Sequence, residues 1–144
     1  MVVRRPTTGL LSAGVIALTA AVGVAFWPQL PSEIVTRFSL SGTPATTVSK
    51  PVGVFRFPVI MVVTLVVLRG VFRVSPPRTP RTASVIELST VCVLSALHLL
   101  ILVWNLGYPV PMDLGYPIPV NLVTLGVVLW VGALGVYLYL HETD

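Results

Sequence analysis

The sequence predicts an all-α integral membrane protein, a four-helix bundle that forms a single domain over residues 1–144. Two observations on composition and one on pattern predict this fold class. The chain is 55% hydrophobic and only 10% charged, whereas soluble domains carry about 25% charged residues. Its apolar residues form long blocks, as they do in proteins that have lipid as their solvent.

The first apolar block covers residues 10–27 and contains no charged residue. At about 1.5 Å per residue, a helix of this length nearly crosses the hydrocarbon core. A cleavable secretory signal is the alternative, but the block is longer than the usual signal core of about 7 to 15 residues. We therefore expect a retained helix. Small residues at every fourth position favour close packing against another helix; they are Gly9, Ala13, Ala17, Ala21 and Ala25.

Proline and basic residues bound the second predicted helix. Ser49-Lys50-Pro51 is typical of a helix start, because proline is tolerated in the first turn. We place this helix over residues 51–71 and expect Pro58 to kink it. The inner loop, residues 72–84, contains three prolines and several arginines. Such a composition ends helices and is typical of a short cytoplasmic loop.

Two further apolar blocks, residues 85–104 and 120–140, are long enough to span a membrane. Between them, the outer loop 105–119 contains a direct repeat, Leu-Gly-Tyr-Pro-Val-Pro and then Leu-Gly-Tyr-Pro-Ile-Pro. The repeat is too rich in proline for a helix. We expect it to lie at the membrane interface, where tyrosine is favoured.

The positive charges are unevenly distributed between the two sides of the predicted bundle. Cytoplasmic loops carry an excess of Lys and Arg. A bias of six residues against three places both termini in the cytoplasm and the loops 28–50 and 105–119 outside the cell (plasma) membrane; the opposite orientation is the alternative. The six are Arg4, Arg5, Arg69, Arg73, Arg78 and Arg81, and the three are Arg37, Lys50 and Arg56.

Several classes of function are disfavoured by the sequence. The net charge of +4 does not predict a nucleic-acid partner, because the basic residues do not share one solvated face. Cys92 is the single cysteine, so it supports neither an intrachain disulfide nor a cysteine-based metal site. The histidines are His98 and His141, and no familiar catalytic motif accompanies them. We expect a non-enzymatic protein without a metal or cofactor.

The outer loop 28–50 contains an ordered series of polar and turn residues. Leu-Pro follows the first helix, then come a Glu, a basic-aromatic pair, a Gly-x-Pro turn and the Ser-Lys before the second helix. This pattern resembles the domain of unknown function found at the N-terminus of SdpI-like immunity proteins, and the resemblance covers roughly the first half of the chain. The loop motif consists of Leu30, Pro31, Glu33, Arg37, Phe38, Gly42, Pro44, Ser49 and Lys50, and Ile34 also falls on the family pattern.

Three positions depart from the family pattern. Arg37 replaces the usual His, Ser39 replaces a frequent Asn, and Ala45 replaces the usual Asp. Arginine keeps a positive charge but does not titrate near neutrality. The resemblance implies a multi-pass membrane protein associated with immunity to secreted peptide toxins. The alternative is that the loop glycine and prolines only shape a compact turn.

The third predicted helix has a polar face. At about 100° per residue, Glu87, His98 and Asn105 project within about 20° of one another. Ionisable residues at membrane depth tend to face the bundle interior or an aqueous cavity. This face favours either a functional polar site or a histidine hydrogen-bonded to a neighbouring helix.

Three functions follow as hypotheses. The first is recognition of a hydrophobic peptide by the outer loop, with Arg37, Phe38 and Lys50 as contacts. The second is a small transporter or proton-coupled subunit that uses Glu87 and His98. The third is a structural subunit of a larger membrane complex. The expected partners are the lipid bilayer and either a peptide ligand or another membrane protein, and the sequence leaves a homo-oligomer open.

Overall fold

The computed structural model describes residues 6–38 and 44–107, together with the single positions 129 and 133. Within these residues the chain forms three long helices and one antiparallel hairpin. The predicted fourth helix, residues 120–140, lies outside the described residues except for Leu129 and Ala133, both of which are helical. The elements in chain order are α1 (Pro6–Ala25), a short 3-10 helix (Trp27–Gln29), β1 (Glu33–Phe38), β2 (Pro44–Ser49), α2 (Lys50–Val74) and α3 (Pro80–Asn105).

All three helices are long and apolar enough to cross a membrane. Many of their large apolar side chains point outward, among them Leu10, Val59 and Val66. Apolar surface of this extent is stable against lipid and would promote aggregation in water. The chain is therefore a helical membrane protein, as the sequence predicts.

The observed helices differ from the predicted ones at their ends. The sequence predicts helices over residues 10–27, 51–71 and 85–104. The structure begins all three earlier, ends α1 at residue 25, and ends α2 and α3 later than predicted. The inner loop 72–84 is consequently reduced to residues 75–79.

The inner loop is short because its proline and polar residues fit the start of α3. Pro80 occupies the first turn, where its missing N–H costs nothing. Thr79 caps the helix, since its side-chain oxygen accepts a hydrogen bond from the Thr82 N–H at 3.2 Å. At the other end of the loop, Arg73 lies in the last turn of α2, where a positive charge interacts favourably with the helix dipole.

The prediction of an all-α fold is only partly correct, because the outer loop 28–50 contains a β-hairpin. β1 pairs with β2 in antiparallel register, with Glu33 opposite Ser49 and Val35 opposite Thr47. The register shifts after Val35 and again after Arg37, which leaves Thr36 of β1 and Ala45 of β2 without an opposite residue. The alternation of apolar and polar residues is thus too short and too interrupted to identify the strands from the sequence.

Helices α1 and α3 run parallel to each other. Three side-chain hydrogen bonds join them: Thr8 to Ser84 at 3.0 Å, Ser12 to Glu87 at 3.0 Å, and Thr19 with Ser95 at 2.7 Å. Both partners advance along the chain in the same order, which defines a parallel pair. Parallel first and third helices are expected when three consecutive helices cross a bilayer in alternating directions.

Among the described residues, the small-residue strip of α1 meets a neighbouring helix only at Gly9, which lies beside the Arg69 side chain. Ala13, Ala17, Ala21 and Ala25 are exposed with respect to the described residues. Besides Gly9, α1 presents Ser12, Thr19 and Gly23 to its neighbours. The close approach is at Gly23, where an added Cβ would lie 2.7 Å from the Val54 side chain. The physical reason is that hydroxyl pairing with α3 fixes the rotation of α1.

Two apolar clusters hold the helices together. One lies below the hairpin and contains Leu30, Ile34, Val54, Ile101 and Leu102. The other lies deeper in the bundle and contains Met61, Leu65 and Val91. The first cluster joins the hairpin to α2 and α3, so it positions the hairpin with respect to the helices.

Candidate functional site

The hairpin has a defined apolar face and a defined polar face. Ile34 is completely buried, and Val48 packs against the same cluster. On the opposite face, the Thr47 hydroxyl donates a hydrogen bond to the Glu33 carboxylate at 3.3 Å, and both residues are exposed. This division is typical of an antiparallel sheet that has one face on a core and one in water.

The direction of each backbone group follows from the register. The Lys50 N–H donates to the Ser32 carbonyl at 3.0 Å, so these two opposite residues form a hydrogen-bonded pair. Opposite residues in an antiparallel ladder alternate between hydrogen-bonded and non-bonded pairs. Val35 and Thr47 are the third pair after Ser32 and Lys50, so they form a non-bonded pair. Residues of a non-bonded pair direct their N–H and C=O groups away from the partner strand.

Asn105 occupies the outer edge of β1. Its Oδ1 accepts from the Val35 N–H at 2.8 Å, and its Nδ2 donates to the Val35 carbonyl at 3.0 Å. The same Nδ2 donates to the Ile101 carbonyl one turn back in α3, at 2.8 Å. The side-chain amide therefore satisfies both outward groups of Val35, as a residue of a neighbouring strand would.

Gly53 is the residue of α2 against which the hairpin packs most closely. An added Cβ at Gly53 would lie 2.5 Å from the Cβ of Ile34, a distance that real Cβ atoms do not reach. Only glycine allows β1 to approach the helix this closely. Leu30, which is 3% exposed, closes the same cluster from the segment before β1.

Lys50 ties the end of α1 to the start of α2. Its Nζ donates to the Trp27 carbonyl at 3.1 Å and lies 5.6 Å from the centre of the Trp27 ring. Phe55 also packs against Trp27, with ring centres 6.2 Å apart. Lys50 is therefore a structural residue of the hairpin base, although a cation over an indole ring contributes only about 0.5 to 2 kcal/mol.

The other residues of the predicted loop motif are placed around the hairpin. Arg37 is exposed on β1 opposite Thr46, and Phe38 is the last residue of β1, opposite Pro44. Ser49 precedes α2 but makes no side-chain cap. Ser39 and Gly42 lie outside the described residues. Of the predicted turn at residues 41–44, the structure describes only Pro44. Exposed positions in the motif are Pro31, Glu33, Arg37, Pro44 and Ser49.

A second polar cluster lies at the other end of the bundle and joins all three helices. The Arg69 Nη2 donates to the Glu87 Oε1 at 2.8 Å, and its Nε lies 3.5 Å from Oε2. Ser12 of α1 donates to the same carboxylate, and Gly9 lies beside the guanidinium. Glu87 is thus a paired group inside the bundle, because a lone carboxylate there would be costly.

His98 lies between the two apolar clusters. It is completely buried, and its ring stacks against Phe57 with ring centres 5.3 Å apart. Within the part of the chain that the structure describes, neither ring nitrogen has a hydrogen-bond partner. Unpaired buried polar atoms are rare in folded proteins, which makes this histidine conspicuous.

The structure does not bring Glu87, His98 and Asn105 into one site, although they share a helix face. Eleven residues separate the first two and seven the last two, which corresponds to about 16 Å and about 10 Å along a helix. Glu87 pairs with Arg69, His98 contacts Phe57, and Asn105 binds β1. Among residues 6–38 and 44–107, no three His, Cys, Asp or Glu side chains come together as metal ligands would.

The sequence pattern does not reveal the partners of these groups. Arg69 counts toward the positive charge of the cytoplasmic side, and nothing in that pattern indicates its pairing with Glu87. Val35 and Trp27 take part through backbone atoms, which leave no signal in the side-chain pattern. The polar residues Ser12 and Thr19 within the first apolar block are the one available sign that α1 contacts the polar face of α3.

Comparison with known proteins bears on the segment that contains the hairpin. Residues 14–62 match the family model described as a domain of unknown function, DUF1648. Residues 14–62, about a third of the chain, are therefore similar to this domain. Neither the curated proteins nor the solved structures gave a match.

The DUF1648 segment begins inside α1, includes the whole described hairpin and ends inside α2. The match confirms the prediction, made from the loop motif, of a domain of unknown function in the first half of the chain. Glu87, His98 and Asn105 lie on α3, outside the DUF1648 segment. The amide that closes the β1 edge is consequently supplied to the domain by the rest of the chain.

Proposed function

We propose that this DUF1648 protein is a non-enzymatic, SdpI-like protein of the plasma membrane that recognises a hydrophobic peptide through its outer hairpin. The main supporting observation is that β1 packs closely against α2 at Gly53, while the opposite face of the hairpin is exposed. The domain match and the helical membrane fold support the same assignment. The resemblance of the loop motif to SdpI-like immunity proteins gives the expected class of ligand.

The hairpin is preorganised for binding. Ile34 is held over Gly53, the Asn105 amide fixes Val35, and Lys50 fixes the base of the hairpin. A surface that is already ordered loses little conformational entropy when a ligand binds. These contacts lie at the base and at the β1 edge of the hairpin, and Glu33 and Thr47 remain exposed on the opposite face.

Arg37 is the principal contact candidate. It is exposed on β1 and stands beside Phe38 in the sequence. A cation next to an aromatic residue suits a peptide that carries both an acidic group and apolar side chains. Lys50, the third contact candidate from the sequence, supports the hairpin base instead.

The distribution of positive charge supports the cytoplasmic placement of both termini. Arg69, Arg73, Arg78 and Arg81 lie near the α2–α3 connection, at the end of the helices opposite the hairpin. Arginine accumulates on the cytoplasmic side of short loops. With that end inside the cell, the hairpin faces outward, where a secreted peptide is encountered.

The proposed function is tested with a peptide toxin encoded next to the gene for this chain. Cells that express the wild type should survive the peptide, and the Arg37→Ala variant should lose at least part of this protection. The Arg56→Ala variant is the matched control, because Arg56 is also exposed near the outer end of the bundle. No protection by the wild type, together with no binding of the peptide in detergent, would refute the proposal.

His98 supports a second candidate function, proton-coupled transport. The supporting observation is an imidazole that is buried and has no partner among the described residues. Glu87, the other residue of this hypothesis, is held by Arg69 and Ser12. Replacement His98→Ala should abolish a pH-dependent flux while the protein remains folded. Lower expression with unchanged function would instead indicate a packing role.

A further inference from the structure

The connection between α2 and α3 carries a cluster of exposed positive charge. Arg73 lies in the last turn of α2, Arg78 lies in the connection, and Arg81 lies in the first turn of α3. All three side chains are exposed. Because the connection consists of residues 75–79 only, the three guanidinium groups are held together at one end of the bundle.

Within the described part of the chain, no carboxylate balances these three charges. The acidic residues there are Glu33, which lies in the hairpin at the other end, and Glu87, which pairs with Arg69. The first turn of α3 also contains no acidic residue, although the helix dipole favours negative charge at this position. Arg81 lies there instead, so the local electrostatics favours an anion supplied from outside these residues.

Exposed apolar side chains flank the positive cluster. Val71 is 52% exposed and Val74 is 90% exposed, and both lie in the last turns of α2 beside Arg73. A phospholipid offers acyl chains to such valines and a phosphate to the arginines, whereas free phosphate offers only the charge. A second copy of the chain, paired through the same end, would oppose like charges. The combination therefore favours a lipid.

We propose that the α2–α3 connection binds the phosphate group of an anionic phospholipid. Arg73, Arg78 and Arg81 bind the phosphate, and Val71 and Val74 lie against the acyl chains. Clusters of basic residues next to membrane helices bind anionic head groups in this way. The inference does not rest on peptide recognition, because the site lies at the end of the bundle opposite the hairpin, and it holds for either orientation of the chain in the membrane.

Within the chain, Glu142 and Asp144 are the competing partners of these arginines. Both lie outside the described residues, and the topology predicted from the sequence places them on the same side of the membrane as the connection. Their two carboxylates do not balance three arginines, and they offer no apolar partner to the exposed valines. A phospholipid supplies both kinds of contact.

The test measures which lipid the full chain retains in a non-ionic detergent. Phosphatidylglycerol and phosphatidylcholine with the same acyl chains are added in equal amounts, and native mass spectrometry counts the bound molecules. The chain should prefer phosphatidylglycerol about tenfold or more, and the preference should decrease as salt is added. Equal retention of the two lipids would overturn the proposal. So would displacement of phosphatidylglycerol by an equal concentration of inorganic phosphate, because it would indicate a site for a free anion.

Paired substitutions locate the site. The double variant Arg78→Gln, Arg81→Gln should lose the preference for phosphatidylglycerol. The double variant Arg37→Gln, Arg56→Gln is the matched control, because it removes the same charge from exposed positions near the hairpin end; it should keep the preference. Arg78→Lys with Arg81→Lys keeps the charge and should keep most of the preference. Equal losses in the two glutamine variants would show an effect of net charge alone and would overturn the proposal.

A third pair of substitutions tests the competing carboxylates. Glu142→Gln with Asp144→Asn should leave the preference for phosphatidylglycerol as it is in the wild type. If the wild type showed no preference and this variant acquired one, the carboxylates would be the partners of the arginines, and the proposal would be overturned.

Discussion

Arg69 and Glu87 form an ion pair between α2 and α3, with 2.8 Å between Nη2 and Oε1 and with the Glu87 side chain only 4% exposed. The Arg69 side chain is 37% exposed, so one partner is buried and the other reaches the surface of the helices. Ser12 contributes a third helix through its hydrogen bond to the same carboxylate. The pair thereby fixes the relative positions of all three described helices at the end away from the hairpin.

Removing either partner of this ion pair should destabilise the protein more than removing both. Arg69→Gln leaves a buried carboxylate, and Glu87→Gln leaves an arginine in the bundle; each should cost about 1 to 3 kcal/mol, because Arg69 is partly solvated. The double variant should cost less than either single variant, because it leaves no unpaired charge between α2 and α3. Thermal unfolding in detergent measures the three variants. Additive losses would show that the two residues do not interact.

Gly53→Ala should displace β1 from α2. The new Cβ would meet Ile34 at 2.5 Å, and such overpacking typically costs about 1 to 3 kcal/mol. Gly70→Ala is the matched control in the same helix, because no neighbouring element of the described chain lies within 4 Å of its added Cβ. That change should be neutral or should stabilise by up to about 1 kcal/mol. Equal effects of the two substitutions on thermal unfolding would contradict close packing of Ile34 against Gly53.

Asn105→Ala should loosen the hairpin without unfolding the helices. It removes both hydrogen bonds to Val35 and leaves these backbone groups without their partner, which should cost about 1 to 3 kcal/mol. Hydrogen exchange at the Val35 amide should therefore accelerate. Val103→Ala, a truncation at an exposed position near the same end of α3, is the control. Unchanged protection of Val35 in the Asn105 variant would exclude the amide contact.

Thr19→Val should weaken the contact between α1 and α3. The hydroxyl of Thr19 pairs with Ser95 at 2.7 Å, and such interhelical hydrogen bonds contribute about 0.6 kcal/mol on average in membrane proteins. A loss of this size should appear as a small decrease in the midpoint of thermal unfolding. Valine at this position preserves the volume, so a large decrease would point to a role beyond this single bond.

The helices could be predicted because their signal is local. A long, predominantly apolar block such as residues 85–104 is long enough to cross a bilayer whatever it packs against. The exact ends are less predictable, since Pro80 can either end one helix or begin the next. The structure resolves this through the Thr79 cap, whose partner Thr82 lies inside the helix.

The hairpin and the partners of the polar residues could not be predicted in the same way. Asn105 is seventy positions from Val35 and binds its backbone, so no side-chain pattern connects them. Arg69 and Glu87 are each visible as charges in apolar surroundings, but their pairing depends on how α2 and α3 rotate. The family resemblance locates the segment that matches the domain of unknown function, without revealing that it contains strands.

The most direct test of an outward-facing hairpin is labelling of single cysteines in intact cells. Cys92→Ser removes the native cysteine, and one new cysteine is then placed either in β2, by Ala45→Cys, or in the α2–α3 connection, by Arg78→Cys; both positions are exposed. A membrane-impermeant maleimide should label the Ala45→Cys protein in intact cells and the Arg78→Cys protein only after the membrane is opened. Labelling of Arg78→Cys but not of Ala45→Cys in intact cells would contradict the proposed orientation and remove the hairpin from contact with any secreted peptide.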